Sequence, residues 1–223
     1  YCLQEVGITI NDITFIGFYD KPFVKFERIL TTFVETFPYG FKSFLSAIPV
    51  WLNKKLWMPH IIKKELNYTG KIIFAEHHMS HAASAFYPSP FDEAAILTVD
   101  GVGEWATSSY GYGKGNEITL LKEMRFPHSV GLLYSVFTAF LGFEVNSGEY
   151  KVMGLAPYGK PIYVDMIKKI VHIYDDGSIA LDLRYVAYHY ETSTSFSKKI
   201  IKLFGKPRVP ESEFTQRDHD LAH

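Results

Sequence analysis

The stretch AAILTVDGVGEWATSSYGYGKGNEITLLKEMRF, residues 94–126, leaves the backbone few choices. Three strand-forming runs, near 94–100, 105–112 and 117–125, are separated by DGVG at 100–103 and GKGN at 113–116. Glycine-rich turns this short between such runs predict an antiparallel three-stranded meander. Around it the pattern alternates. TFIGFYD (14–20) and KIIFAEH (71–77) read as strands, and FVKFERILTTFVETF (23–37) carries apolar residues at helical spacing up to Pro38. A second helical segment covers 41–66, interrupted by Pro49 and Pro59, and its aromatic stripe reads as a packing surface. SHAASAFY starts a helix that stops at Pro88, and SVGLLYSVFTAFLGF (129–143) is an apolar helix with Ser129 as N-cap. Residues 148–161 read as a glycine-studded loop or broken helix, 163–174 as a helix, 178–183 as a strand and 194–204 as a helix. Strands followed by helices predict an α/β fold with an antiparallel portion. The PSPFDE segment, 88–93, is the best subdomain boundary, giving 1–92 and 93–223.

Composition narrows the function classes. The net charge is −1, so nothing argues for a nucleic-acid or anionic-membrane partner. No apolar run approaches the roughly 18 residues of a membrane span. The single cysteine, Cys2, favours a reducing compartment such as the cytoplasm. Neither end reads as a natural terminus. YCLQEVG resembles the tail of a helix capped by Gly7, and ESEFTQRDHDLAH a helix cut off in mid-pattern, so a piece of a longer protein is expected.

Chemistry concentrates in AEHHMSHAASAFY, 75–87, with histidines at 77, 78 and 81. His77 and His81 stand one helical turn apart, so both imidazoles can project from one side as half of a divalent-metal site. His78 is rotated roughly 100° away, although a helix starting later would pair it with His81 instead. His-x-x-x-His alone is a weak signal. Asp100 strengthens it, because a carboxylate at a strand tip completes a two-histidine, one-carboxylate set with open positions. Asp100-Gly101 also reads as a simple turn.

Three further features carry a phosphate reading beside a structural one. Gly101 and Gly103 let backbone amides approach an anion. Ser129, after His128, either caps its helix or marks an anion site at the helix N-terminus. Lys151 in EYKVMGLAPYG either faces a phosphate or pairs with Glu149. Glu104 and Trp105 read as structural.

HHMSHAASAFYPSPFDEAAILTVDGVGEWATSS, GLLYSVFTAFLGF and EYKVMGLAPYGKP, with FYDKPFVKFERIL upstream, resemble the O-carbamoyltransferases of the nodulation and antibiotic-tailoring type. The resemblance covers nearly the whole chain and is densest from 71 to 161. It implies a truncated actin-like ATPase (ribonuclease-H-like) fold, with parts of two subdomains around a cleft. It also implies ATP and carbamoyl phosphate as reactants, with a carbamoyl-adenylate formed in a YrdC-like domain of the same full-length chain. The carbamoyl group then passes to a hydroxyl-bearing small-molecule acceptor at a metal-bearing cleft. His77, His81 and Asp100 match the family's metal ligands, for iron, manganese or zinc. Gly101 and Gly103 match its glycine turn near nucleotide phosphates, and Lys151 and Gly154 lie in a motif near the cleft. The residues expected to serve the chemistry are thus Asp100 and Lys151, with Gly101, Gly103, Ser129, Lys151 and Gly154 at the nucleotide. Family members begin with a phosphate loop that this chain starts after, so the chain alone is not expected to transfer carbamoyl groups. The competing expectations are a non-catalytic actin-like binding module, or a relative of the carbamoyltransferases of tRNA threonylcarbamoyl-adenosine synthesis and hydrogenase maturation. Near-neutral charge weakens the tRNA version, and the absence of paired Cys-x-x-Cys motifs weakens the maturation version.

Overall fold

A computed structural model describes residues 1–191 and 194–223. After a short helix α1 (Cys2–Glu5), strand β1 (Phe15–Phe18) leads into α2 (Pro22–Thr36), whose first residue is the proline that suits a helix start. Helices α3 (Phe41–Asn53) and α4 (Met58–Leu66) follow, and β2 (Lys71–Phe74) returns parallel to β1 with Phe15 opposite Lys71 and Phe18 opposite Phe74. The segment at 41–66 breaks at the 3-10 turn Lys55–Trp57 rather than at its prolines. Pro49 lies inside α3, and Pro59 sits in the first turn of α4, where no backbone donor is needed. The aromatic stripe packs α3 on α2: the Phe33 and Phe44 rings stack 3.9 Å apart, and Phe26 meets Trp51 at 5.9 Å.

Helix α5 (His77–Phe86) enters directly from β2 and precedes the meander β3 (Glu93–Val99), β4 (Ala106–Lys114) and β5 (Glu117–Arg125), in the expected antiparallel order β3-β4-β5. Ala82 and Phe86 of α5 bury themselves against Ile96, with Ala94, Ile118 and Leu120 around them. Helix and sheet are therefore fixed face to face, and the N-terminal end of α5 lies beside the turn that leaves β3.

The larger core forms around α6 (Val130–Phe140). Leu133, Val136, Phe137, Phe140 and Leu141 pack with Val152 of α7 (Glu149–Leu155) and with Ile170, Leu181, Ile200 and Phe204. Helix α8 is short (Val164–Ile167), and β6 (Val171–Ile173) and β7 (Ile179–Leu181) form a hairpin before α9 (Lys198–Phe204) and α10 (Gln216–Ala222). The helix expected over 163–174 is thus corrected: it covers Val164–Ile167, residues 168–170 form a turn, and Val171–Ile173 is strand. Ile170, Val171 and Ile173 are β-branched, and Gly177, at φ +79°, closes a turn that pairs Val171 with Leu181. Residues 148–161 are a helix followed by a 3-10 turn, Ala156–Tyr158.

The result is a mixed α/β structure with small sheets of two, three and two strands among the described residues. None of the described helices is long and apolar enough to cross a membrane. Phe140 is fully buried, whereas Leu97 is 73% exposed. Phe140→Ala is expected to cost about 3–5 kcal/mol and Leu97→Ala less than about 0.5 kcal/mol, measured by denaturant unfolding.

Candidate metal centre

The first turn of α5 lacks a capping side chain at Glu76. Glu104, 27 residues away beyond the β3 turn, does the work instead. Its Oε2 accepts the His77 N–H at 3.0 Å and its Oε1 accepts the Lys21 N–H at 2.8 Å. An anion at a helix N-terminus satisfies an otherwise orphaned donor and opposes the positive end of the helix dipole. Glu104 is only 8% exposed. One carboxylate thereby ties together the residue preceding α2, the start of α5 and the turn that carries Asp100.

The anchored helix turn aims two rings at that carboxylate. His77 Nε2 lies 2.8 Å from Asp100 Oδ2, His81 Nε2 lies 3.1 Å from His77 Nε2, and His81 Nε2 lies 3.7 Å from Asp100 Oδ2. Asp100 Oδ1 accepts the Gly101 N–H at 2.7 Å, which leaves Oδ2 for the two rings. Burial raises the Asp100 carboxyl, but the Gly101 amide and the charges of His77 and His81 outweigh it and hold the group below the usual carboxylate range.

This donor set fits a divalent metal. Bonds of about 2.1 Å put neighbouring ligand atoms roughly 3.0–3.4 Å apart at right or tetrahedral angles. The three observed edges bracket that range. A proton can bridge one pair of these atoms at a time, whereas a cation at their common point satisfies all three. His77 Nδ1 is buried without a hydrogen-bond partner in the described structure. Its ring is held by packing on Tyr19, 5.7 Å away, and by the backbone at Gly103. A Cβ on Gly103 would lie 3.0 Å from His77 Cβ and 3.1 Å from His78 Cδ2, so the turn needs glycine to approach both rings.

His78 points the other way. It is 3% exposed; Nε2 donates to the Ala106 carbonyl at 3.0 Å, and Nδ1 accepts from the Thr98 hydroxyl at 2.6 Å. Thr98 in turn meets the Ser109 hydroxyl at 2.6 Å. Burial lowers its pKa, outweighing the Ala106 carbonyl and the Asp100 charge, so the ring is a neutral strut between helix and sheet. The helix starts at His77, which pairs His77, not His78, with His81.

The remaining expected residues fall into two groups. Gly101, Gly103 and Ser129 belong to the turn around Asp100. Ser129 is wholly buried; its hydroxyl accepts the Leu132 N–H at 3.0 Å and donates to the Gly101 carbonyl at 2.7 Å. It caps α6 and staples the turn, which is the structural one of its two readings. Gly131 was not legible as important, yet a Cβ there would lie 2.5 Å from the Asp100 carbonyl oxygen. Lys151 and Gly154 stand exposed on α7, against α6 and α10. Of the two readings of Lys151, the ion pair with Glu149 is not formed: Lys151 Nζ lies 5.7 Å from the Phe143 ring, and Glu149 accepts from Ser135 and Asn146. Among the described residues no hydrogen bond or ion pair joins α7 to the triad.

With this geometry the chain matches the carbamoyltransferase N-terminus family across residues 1–223, and it belongs to that family. It is 51% identical over 233 residues to an uncharacterized protein of Synechocystis sp., covering all of this chain and 38% of that protein. It is 33% identical over 229 residues to nodulation protein NolNO of Sinorhizobium fredii, covering all of this chain and 30% of NolNO. Nodulation protein NolO of Bradyrhizobium diazoefficiens matches 48% of the chain at 35% identity over 108 residues, 20% of that protein. The chain therefore spans about a third of the length of the relatives that it matches end to end.

Removing the remote cap should loosen the site. Glu104→Ala is expected to cost about 1–3 kcal/mol of stability, read by denaturant unfolding. It should also weaken divalent-metal binding, read by equilibrium dialysis, although Glu104 touches no ligand atom.

Proposed function

We propose that this chain is the metal-bearing part of an ATP-dependent O-carbamoyltransferase. His77, His81 and Asp100 hold a divalent iron, manganese or zinc ion, and a carbamoyl group derived from carbamoyl phosphate passes to an acceptor hydroxyl beside them. The observation that carries the reading is the convergence of two Nε2 atoms and one carboxylate oxygen from separate elements in a member of the carbamoyltransferase N-terminus family. Membership of the carbamoyltransferase N-terminus family supports a carbamoyl donor and an acceptor, here read as a hydroxyl-bearing small molecule.

The same reading carries the actin-like arrangement, with 1–92 as the remainder of a first subdomain and 93–223 as the start of a second. It places the carbamoyl-adenylate-forming YrdC-like domain elsewhere in the full-length chain, and the whole in the cytoplasm. A bound divalent ion supplies charge neutralisation at phosphate oxygens and polarises the carbamoyl carbonyl. The chain's own residues set the geometry. Asp100 keeps Oδ2 free because Oδ1 is occupied by the Gly101 amide. Glu104 fixes the backbone from which His77 projects. The Gly101 and Gly103 amides, which the glycine-turn reading would aim at a phosphate, are already taken by Asp100 Oδ1 and the Ala106 carbonyl, so any nucleotide phosphate near this turn would be held by other groups, with Lys151 and Gly154 of α7 as the proposed contacts.

Metal analysis of the full-length protein tests the assignment. About one equivalent of divalent metal is expected in the native protein, and His77→Ala and His81→Ala should each weaken its binding by about 100-fold or more, beyond what a lost supporting residue costs. His78→Ala should lose stability but keep the metal. Equal metal content in the native, His77→Ala and His81→Ala proteins would refute the reading. The 223-residue chain alone should show no carbamoyl transfer.

A further inference from the structure

We propose that the cavity walled by Arg28, Val102 and His189 binds a small organic oxyanion, a carboxylate on a flat apolar body, held by the Arg28 guanidinium. The cavity measures about 260 Å³, and its walls include Phe33, Phe44, Phe126 and Tyr188. Val102 belongs to the turn that carries Asp100, so the cavity lies against the metal centre's supporting loop without using any of its ligands.

Two buried polar atoms in these walls have no partner among the described residues: Arg28 Nε and His189 Nδ1. Part of the Arg28 side chain reaches the surface, but its Nε is shut off from solvent. The guanidinium carbon lies 5.0 Å from the Phe126 ring centroid. No ion pair to Arg28 exists among the described residues. The charge acting on it is Glu104, whose two oxygens are already taken by the Lys21 and His77 amides. Burial outweighs that attraction and lowers the Arg28 pKa to about 10. Tyr188 does not help, since its hydroxyl donates to the Pro127 carbonyl at 2.6 Å. Glu191 also lines the cavity and has interactions of its own.

Folded proteins pair their buried polar groups, and the Arg28 Nε–H is a buried donor of a charged group left over. Arginine offers only donors, in a fork that matches a carboxylate or phosphate. The aromatic walls favour a planar apolar body behind that anion, and the volume restricts it to a small molecule. This inference does not depend on a metal at the triad.

Calorimetric titration of the full-length protein with benzoate and, separately, with inorganic phosphate tests it. Benzoate is expected to bind once per chain. Arg28→Met should weaken it by about tenfold or more, the loss of one charge-assisted hydrogen bond, and Arg28→Lys should weaken it because the fork is lost. His81→Ala should bind benzoate unchanged, which separates the cavity from a carboxylate on a metal. Thermal unfolding checks each variant; if Arg28→Met does not fold, Arg28→Lys and His189→Ala carry the test. No binding to the native protein, the result if an acidic side chain from the rest of the full-length chain fills the cavity, would overturn the proposal. So would equal affinity in Arg28→Lys and His189→Ala, or binding of phosphate but not benzoate.

Discussion

The carboxylate of Glu104 holds the site in shape. Its two oxygens accept backbone amides from Lys21 and His77, residues that are 56 positions apart in the chain. Helix α5 begins without a cap of its own, so the position of its first turn depends on an acid presented by the turn after β3. Asp100 belongs to that same turn. The helix carrying two imidazoles and the loop carrying the carboxylate are therefore fixed by one shared contact, and the ligand atoms converge at 2.8–3.7 Å.

The interior on the other side of α5 completes the restraint. His78 links the helix to β3 through Thr98 and to β4 through the Ala106 carbonyl. Adjacent histidines thus face opposite ways: His78 joins helix to sheet, and His77 turns to Asp100 and His81. Ser129 and Gly131 do the same for the Asp100 turn from the side of α6, the first by hydrogen bonds and the second by having no side chain where the Asp100 carbonyl approaches. Three elements hold a three-residue centre that none of them could form alone.

What the sequence revealed of this arrangement follows from its range. The meander was legible because alternating strand-forming runs and glycine turns are local signals. His77 and His81 were legible because one helical turn puts them on one side, and His78 was separable by its rotation. Glu104 read as structural, but its role as a cap for a helix 27 residues earlier is a tertiary contact that no local pattern carries. The helix expected over 163–174 stops at Ile167 for the same reason. A short apolar run fits helix or strand, and pairing of Val171 with Leu181 across the Gly177 turn decided it. Arg28 sat inside a regular amphipathic pattern, and only folding shows that its Nε ends without a partner.

The central claim is that a divalent ion sits where His77, His81 and Asp100 converge. Anomalous diffraction from crystals of the full-length protein, collected at the iron, manganese and zinc edges, tests it most directly. The account predicts a single strong peak about 2.1 Å from His77 Nε2, His81 Nε2 and Asp100 Oδ2. A fully occupied metal ligated through His78, or lying away from these three atoms, would contradict it.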